Sequence, residues 1–255
     1  MLASVPMRDI LLNAYSEISN HAAQAQVALR LTGSIAVQLR CPRYASLVGP
    51  GRQFEDLDLV ARKRDAAAIR TVLEKLGYSE NREIFLASGG GRAIFDQPAS
   101  KVHIDVFFDQ LDFCHVIDIR HRLERDWQTL PLAELLLGKL QIVQINAKDF
   151  LDASILLIEH ELGDSDEERI NAREVAARCS AEWGLWRTVS GNLEKLTRYA
   201  GAETFLPPDE HGRLNRQVEA LKDVIDAHPK PLPWKLRAKI GDRVKWYRDV
   251  EEVDG

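Results

Sequence analysis

The sequence predicts an α+β fold in which a mixed β-sheet with flanking helices is followed by an all-helical C-terminal region. Short segments that alternate apolar and polar residues, as half-buried strands do, lie before residue 131. Beyond Pro131 the apolar residues recur at helical spacing instead. We therefore predict two domains, an α+β domain over residues 1–130 and a helical domain over residues 131–255.

The first elements alternate between helix and strand. Helical spacing predicts a helix over 7–24, the run VALRLT predicts a strand over 27–32, and a second helix is expected from Ile35 with Ser34 as its N-cap. Residues 41–54 carry two prolines and two glycines, so we expect a loop there.

The remaining elements follow from the same two periodicities. Up to residue 108 we predict a strand over 56–61, a helix over 65–76, a hairpin of 83–88 and 92–96 around three glycines, and a strand over 101–108. Beyond residue 131 we predict helices over 132–145, 147–162, 170–200 and 209–228.

Composition excludes several functional classes. The chain of 255 residues has 34 Lys and Arg against 39 Asp and Glu, so its formal charge of −5 gives no overall attraction to nucleic acid or anionic membranes. The three cysteines are scattered and form no CxxC, which argues against a disulfide framework or a cysteine zinc site. No apolar run is long enough for a membrane span and no signal-peptide pattern opens the chain, so we expect a cytoplasmic protein without membrane partners.

A basic segment lies near the C-terminus. Residues 229–248 hold seven Lys or Arg with one Asp, interleaved with Trp234, Trp246 and Tyr247. Such a pattern can bind RNA through phosphate contacts and base stacking. We favour the other interpretation, a solvated helical face with its tryptophans in the core, because an acidic tail follows.

Three carboxylates carry the argument for chemistry. On a strand, Asp56 and Asp58 share one face while Leu57 takes the other. Asp105 lies on the polar face of the strand over 101–108. If these two strands are neighbours, the three carboxylates converge and offer the hard oxygen ligands that suit Mg²⁺ or Mn²⁺. An acidic pair on an exposed strand face without any function is the alternative.

Other candidates have structural explanations of their own. Gly33 and Ser34 join a strand to a helix, where free N–H groups can bind phosphate, although a simple turn accounts for them too. Lys139 could reach a triphosphate or extend along an apolar helix into solvent. Asp149 follows Asn146 at a spacing typical of a helix N-terminus, which explains it without chemistry.

The order of these segments resembles the nucleotidyltransferase superfamily with the polymerase-β-type fold. The matching stretches are LTGSIAVQLR at 31–40, GRQFEDLDLV at 51–60 and VHIDVFFD at 102–109. The stretch at 131–157, with Lys139 and the pattern KDFLD, resembles the AbiEii-type toxin and uncharacterised nucleotidyltransferase branch. The resemblance covers roughly residues 25–160.

This resemblance implies a reaction and a set of site residues. The reaction is transfer of a nucleoside monophosphate from an NTP to an acceptor, with divalent metal and release of pyrophosphate. It makes Asp56 and Asp58 metal ligands, and Asp105 a third metal ligand or the general base on the acceptor hydroxyl. The residues implied in nucleotide binding are Gly33, Ser34, Arg52, Lys139 and Asp149.

The partners stay open at this stage. The acceptor could be a small molecule such as an aminoglycoside, a tRNA end or a protein hydroxyl. The alternative function is a catalytically inactive nucleotide- or partner-binding module, such as one component of a toxin–antitoxin pair. A cognate antitoxin or a second copy of the chain would then be the partner.

Overall fold

The chain forms two compact units. The computed structural model describes residues 6–43, 54–124, 127–202, 206 and 208–249. The first unit comprises Met1–Leu39, Gly49–Leu111 and Asp118–Leu130. The second comprises Arg40–Val48, Asp112–Ile117 and Pro131–Gly255. Most of the predicted loop over 41–54, including Arg52, lies outside the described residues.

A mixed sheet forms the centre of the first unit. Its strands are β1 (Leu29–Leu31), β2 (Asp56–Ala61), β3 (Ser79–Asn81), β4 (Arg92–Gln97) and β5 (Val102–Phe108). Within the described part of the chain their order is β1-β2-β5-β4-β3. β2 and β5 run parallel, and the other neighbours are antiparallel. The parallel pair at the centre has apolar residues on one face and the three carboxylates on the other.

Four helices accompany this sheet: α1 (Met7–Gln24), α2 (Gly33–Arg40), α3 (Ala66–Lys75) and α4 (Arg82–Ala87). α1 buries one stripe at helical spacing, consisting of Leu11, Tyr15, Ile18 and Ala22. With this stripe α1 packs against β1, β2, β5 and α3. The Tyr15 hydroxyl also donates a hydrogen bond of 2.6 Å to the carbonyl of Gln128.

The predicted hairpin around the three glycines is wrong in its first strand. Residues 83–88 lie mainly in α4, and the strand that precedes β4 in the chain and pairs with it is β3. Asn81 ends β3 and caps α4, because its side-chain oxygen accepts a hydrogen bond of 3.4 Å from the backbone N–H of Ile84. This cap favours a helical turn where the apolar run alone suggested a strand.

The second unit is mainly helical. Its helices are α5 (Leu132–Leu140), α6 (Ala147–Glu159), α7 (Ala172–Ala181), α8 (Trp183–Ala202), α9 (Pro208–Ala227) and α10 (Leu232–Ile240). Short strands complete the chain: β6 (Gln110–Asp112) with β7 (Val116–Asp118), and β8 (Leu162–Gly163) with β9 (Ile170–Asn171). The single helix predicted over 170–200 is divided, because Glu182 has extended backbone angles between α7 and α8.

The predicted α+β class, with a mixed sheet, flanking helices and a helical C-terminal region, is confirmed. The prediction that the tryptophans of the basic segment lie in the core is wrong. α10 has no buried residue, and both Trp234 and Trp246 are half-buried. In the described part of the chain no helix is long and apolar enough to cross a membrane.

Candidate functional site

The register between β2 and β5 brings the predicted carboxylates together. Asp58 is paired directly with Asp105, and Asp56 is paired with His103. Paired residues on neighbouring strands point to the same face, and their backbones lie about 4.8 Å apart. Asp56, Asp58 and Asp105 therefore share one face of the sheet, as the strand pattern requires.

Burial rises across this carboxylate face. Asp56 is exposed, Asp58 is half-buried, and Asp105 is 5% exposed. On the opposite face Leu57 and Leu59 are completely buried, so the apolar residues hold both strands in register. A one-residue slip would bury Asp58 and expose the leucines, which makes the placement of the carboxylates a consequence of the core.

Gly33 lies directly against Asp58. Its φ of +66° belongs to the left-handed region, and a Cβ added there would lie 1.8 Å from Oδ2 of Asp58. The backbone N–H of Thr32 donates a hydrogen bond of 3.0 Å to the carbonyl of Asp58. These contacts place the N-terminus of α2 beside the carboxylate face.

The predicted N-cap differs slightly from the observed one. α2 begins at Gly33, so Ser34 lies within the first turn and does not precede it. Both residues predicted to bind phosphate therefore lie at the helix N-terminus.

Arg92 contacts Asp105, and the sequence analysis missed it. Its Nε donates hydrogen bonds of 2.9 Å to both carboxylate oxygens of Asp105. Burial raises the pKa of the Asp105 carboxyl above its ordinary value, while the hydrogen bonds and charge of Arg92 act in the opposite direction. The hydrogen bond to Asp105 is the largest of the factors that raise the pKa of the Arg92 guanidinium. The negative charges of Asp105, Asp58 and Asp56 raise it further.

A signal for Arg92 exists in the sequence. It opens the run RAIFD, whose alternation places it on the same face of β4 as Asp96. The strand before this run was predicted at 83–88, whereas it is β3. With the wrong preceding strand, the sequence could not indicate which face of β4 lies on the same side of the sheet as Asp105. The carboxylate of Asp96 lies 2.7 Å from Nδ1 of His103 and accepts a hydrogen bond when that nitrogen carries a proton.

The donor set fits a magnesium ion at Asp56 and Asp58. Both are hard oxygen ligands that reach solvent, and Mg²⁺ in proteins is often held by one or two carboxylates and the phosphates of a substrate. Asp105 is different, because both of its oxygens accept hydrogen bonds from Arg92. Within the described residues no group of three or more acidic, His or Cys side chains is arranged to hold a metal.

Two further predicted residues lie in the second unit and contact each other. Nζ of Lys139 lies 3.0 Å from Oδ1 of Asp149 and 3.0 Å from Oδ2 of Asp152. These carboxylates raise the pKa of Lys139 above its ordinary value although burial acts to lower it. Asn146 caps α6 by accepting a hydrogen bond of 2.9 Å from the N–H of Asp149, so the predicted capping contact is confirmed.

Comparisons with known proteins give little. No family model matches the chain, and no curated protein matches it either. A solved structure of the antibiotic-resistance factor ANT(2″)-Ia is similar over 68% of this chain and 92% of its own, with 13% identity and a TM-score of 0.42. We draw nothing about function from a likeness of this degree.

Proposed function

We propose that the chain is a metal-dependent nucleotidyltransferase, which transfers a nucleoside monophosphate from an NTP to an acceptor hydroxyl and releases pyrophosphate. One observation carries this proposal: Asp58 is paired with Asp105 on parallel strands, while the N-terminus of a helix lies against Asp58 at Gly33. Carboxylates beside the N-terminus of a helix provide for a cation and for phosphates at one place.

Asp56 and Asp58 are the residues that would hold Mg²⁺ or Mn²⁺. When bound, the cation neutralises charge on the phosphates and polarises the phosphoryl group. The repulsion between two carboxylates on one strand face favours uptake of a cation between them. Gly33 and Ser34 would bind phosphate oxygens through their backbone N–H groups at the helix N-terminus. Only a residue without Cβ fits at position 33, because a side chain there would clash with Asp58.

Asp105 would act on the acceptor hydroxyl or serve as a third ligand. A carboxylate with a raised pKa is better matched to general-base work near neutral pH than an ordinary aspartate. Arg92 holds this carboxylate in place, and its cationic group can also contribute to phosphate binding. We therefore add Arg92 to the proposed site.

The remaining predicted contacts stay predictions. Lys139 and Asp149 are proposed to bind the nucleotide on the strength of the resemblance, and their observed contacts are with each other and with Asp152. Arg52 is proposed to add charge near the nucleotide. The acceptor, whether an aminoglycoside-like small molecule, a tRNA end or a protein hydroxyl, is left to experiment.

The test is calorimetric titration of the protein with each of the four NTPs, first with Mg²⁺ and then with EDTA, followed by an assay of pyrophosphate release with candidate acceptors. We expect Mg²⁺-dependent binding, and a loss of turnover of at least about 100-fold in Asp58→Asn. Asp96→Asn is the matched control, because Asp96 is an exposed aspartate of β4, which is separated from β2 by β5, and its carboxylate contacts His103.

Full turnover in Asp58→Asn would contradict the proposed site. Mg²⁺-dependent binding without turnover on any acceptor would favour the alternative, a nucleotide-binding module that has lost catalysis. The hydrogen bonds between Arg92 and Asp105 are the feature that such a module would retain.

A further inference from the structure

A cavity of about 590 Å³ lies within the second unit, and none of the residues of the proposed site lines it. Trp183 at the beginning of α8, Trp234 on α10, and Trp246 and Tyr247 beyond α10 form much of its wall. Its volume falls within the range of small-molecule binding sites, roughly 300–1,000 Å³. Both tryptophans of the basic segment thus face a cavity and not the core.

The aromatic rings of this cavity are held in fixed orientations. Nε1 of Trp246 donates a hydrogen bond of 3.1 Å to the Thr188 hydroxyl, and Nε1 of Trp234 donates one of 3.0 Å to the carbonyl of Cys179. Trp183 and Trp246 meet edge to face with centroids 6.3 Å apart, and Trp246 and Tyr247 meet in the same way at 5.4 Å. Rings fixed in this way offer stacking surfaces at little entropic cost.

A glycine allows the cavity wall to close. A Cβ added at Gly184 would lie 2.5 Å from the carbonyl oxygen of Trp246. The segment beyond α10 can therefore approach α8 only because this position lacks a side chain. The close approach brings Trp246 and the basic residues beside it to the beginning of α8.

The same cavity is rich in cations. Arg237, Lys245 and Arg248 line it. The guanidinium of Arg237 lies 4.3 Å from the ring centroid of Trp183, and Nζ of Lys245 lies 4.9 Å from that of Tyr247. Two of these three cations therefore lie close to aromatic rings of the same cavity.

Two of these cations form ion pairs at the surface. Lys245 pairs with Asp249 and Arg248 pairs with Asp112, and their side chains are 51% and 53% exposed. Exposed ion pairs of this kind are weak and exchange readily with an incoming phosphate. The carboxylate in the lining, Glu182, lies 3.2 Å from Nδ1 of His115.

We propose that this cavity binds a nucleoside phosphate, either as a free nucleotide or as the end of a single strand. Its flat base would stack on the rings, and its phosphate would exchange for the carboxylates on Lys245 and Arg248. A base without phosphate lacks the ionic contacts, and a phosphate without a base lacks the stacking surface. The site is independent of nucleotidyl transfer and requires neither a divalent metal nor the carboxylates of the first unit.

Intrinsic tryptophan fluorescence tests this proposal in the full-length protein. Three of the chain's five tryptophans line the cavity, so a base stacked there quenches their emission. The probes are AMP, adenosine, inorganic phosphate and an oligo(dA) of about ten nucleotides, each titrated in EDTA to exclude metal-dependent binding. We expect quenching by AMP or by the oligonucleotide, and at least about tenfold weaker binding of adenosine and of phosphate.

Variants locate the binding. Tyr247→Leu removes a stacking ring and is expected to raise the dissociation constant about tenfold, while Lys245→Ala removes a phosphate contact and raises it about threefold. Lys239→Ala is the matched control, since Lys239 is an exposed cation of α10 outside the cavity lining. It is expected to change the dissociation constant by less than twofold.

The titrations distinguish the two forms of the ligand. If the dissociation constants of AMP and of the oligonucleotide agree within threefold, the ligand is a free nucleotide. If the oligonucleotide binds more tightly than that, the ligand is a strand end. The proposal is overturned by unchanged affinity in both Tyr247→Leu and Lys245→Ala, or by absence of quenching with every probe. Loss of binding in Asp58→Asn under EDTA would also overturn it, since the ligand would then lie in the first unit.

Discussion

Each compact unit contains a cation held by carboxylates, and the two clusters differ in burial and in charge. In the second unit Lys139, 13% exposed, is held by Asp149 and the fully buried Asp152. In the first, Arg92 is 31% exposed and contacts Asp105, and the charges of Asp58 and Asp56 also act on it. A buried, doubly bonded cation holds helices together, whereas an accessible one beside additional carboxylates leaves room for an exchangeable ion.

The largest effect is expected from Lys139→Ala, which tests whether the buried cluster is structural. The substitution removes the ammonium group that contacts both Asp149 and the fully buried Asp152, so the free energy of unfolding should fall by about 3–5 kcal/mol. Urea denaturation measures it, with Lys148→Ala, an exposed lysine of α6, as control. A stable Lys139→Ala with a weakened NTP affinity would instead support the predicted role in nucleotide binding.

A smaller effect is expected from Gly33→Ala, which tests the close packing against Asp58. The left-handed φ and the clash with Oδ2 of Asp58 together should lower the free energy of unfolding by about 3 kcal/mol. Gly89→Ala is the matched control, because Gly89 has a φ of +59° with open space around its Cβ position. Gly89→Ala should lower the free energy of unfolding by about 1 kcal/mol. Equal losses in the two variants would mean that the Asp58 side chain moves aside without an energetic penalty.

The next effect is that of Arg92→Ala, which sharpens the comparison between the two clusters. Removing a partly exposed arginine leaves the carboxyl of Asp105 buried without its donor, so we expect a loss of about 1–2 kcal/mol in the free energy of unfolding. With Mn²⁺ present the loss should be smaller, because the oxygens of Asp105 become available to a cation. Denaturation with and without Mn²⁺ measures both.

The smallest effect is expected from Arg120→Ala, which serves as the control for Arg92→Ala. Nε of Arg120 donates hydrogen bonds to both carboxylate oxygens of Asp118, as Nε of Arg92 does to Asp105, but both side chains are well exposed. Arg120→Ala should therefore leave the free energy of unfolding unchanged within error. A loss as large as that of Arg92→Ala would show that exposure does not separate the two kinds of contact.

Local patterns predicted much of the first unit. The strand over 56–61 and the helix over 7–24 agree with β2 and α1, because alternation and helical spacing are properties of neighbouring residues. The first strand of the hairpin was predicted wrongly, since the capping by Asn81 outweighed the apolar run that follows it. The predicted roles of the site residues and the boundary between domains stay predictions.

The sequence by itself determined which residues share a strand face, and therefore that Asp56 and Asp58 lie on the opposite face of the strand from Leu57. Only the tertiary structure decided that β5 is the parallel neighbour of β2, that Arg92 reaches Asp105 from β4, and that Lys139 is buried between two aspartates. The physical reason is that side-chain direction along a strand is a local property with a fixed period, whereas strand pairing and the partner of a charge depend on segments far apart in the chain.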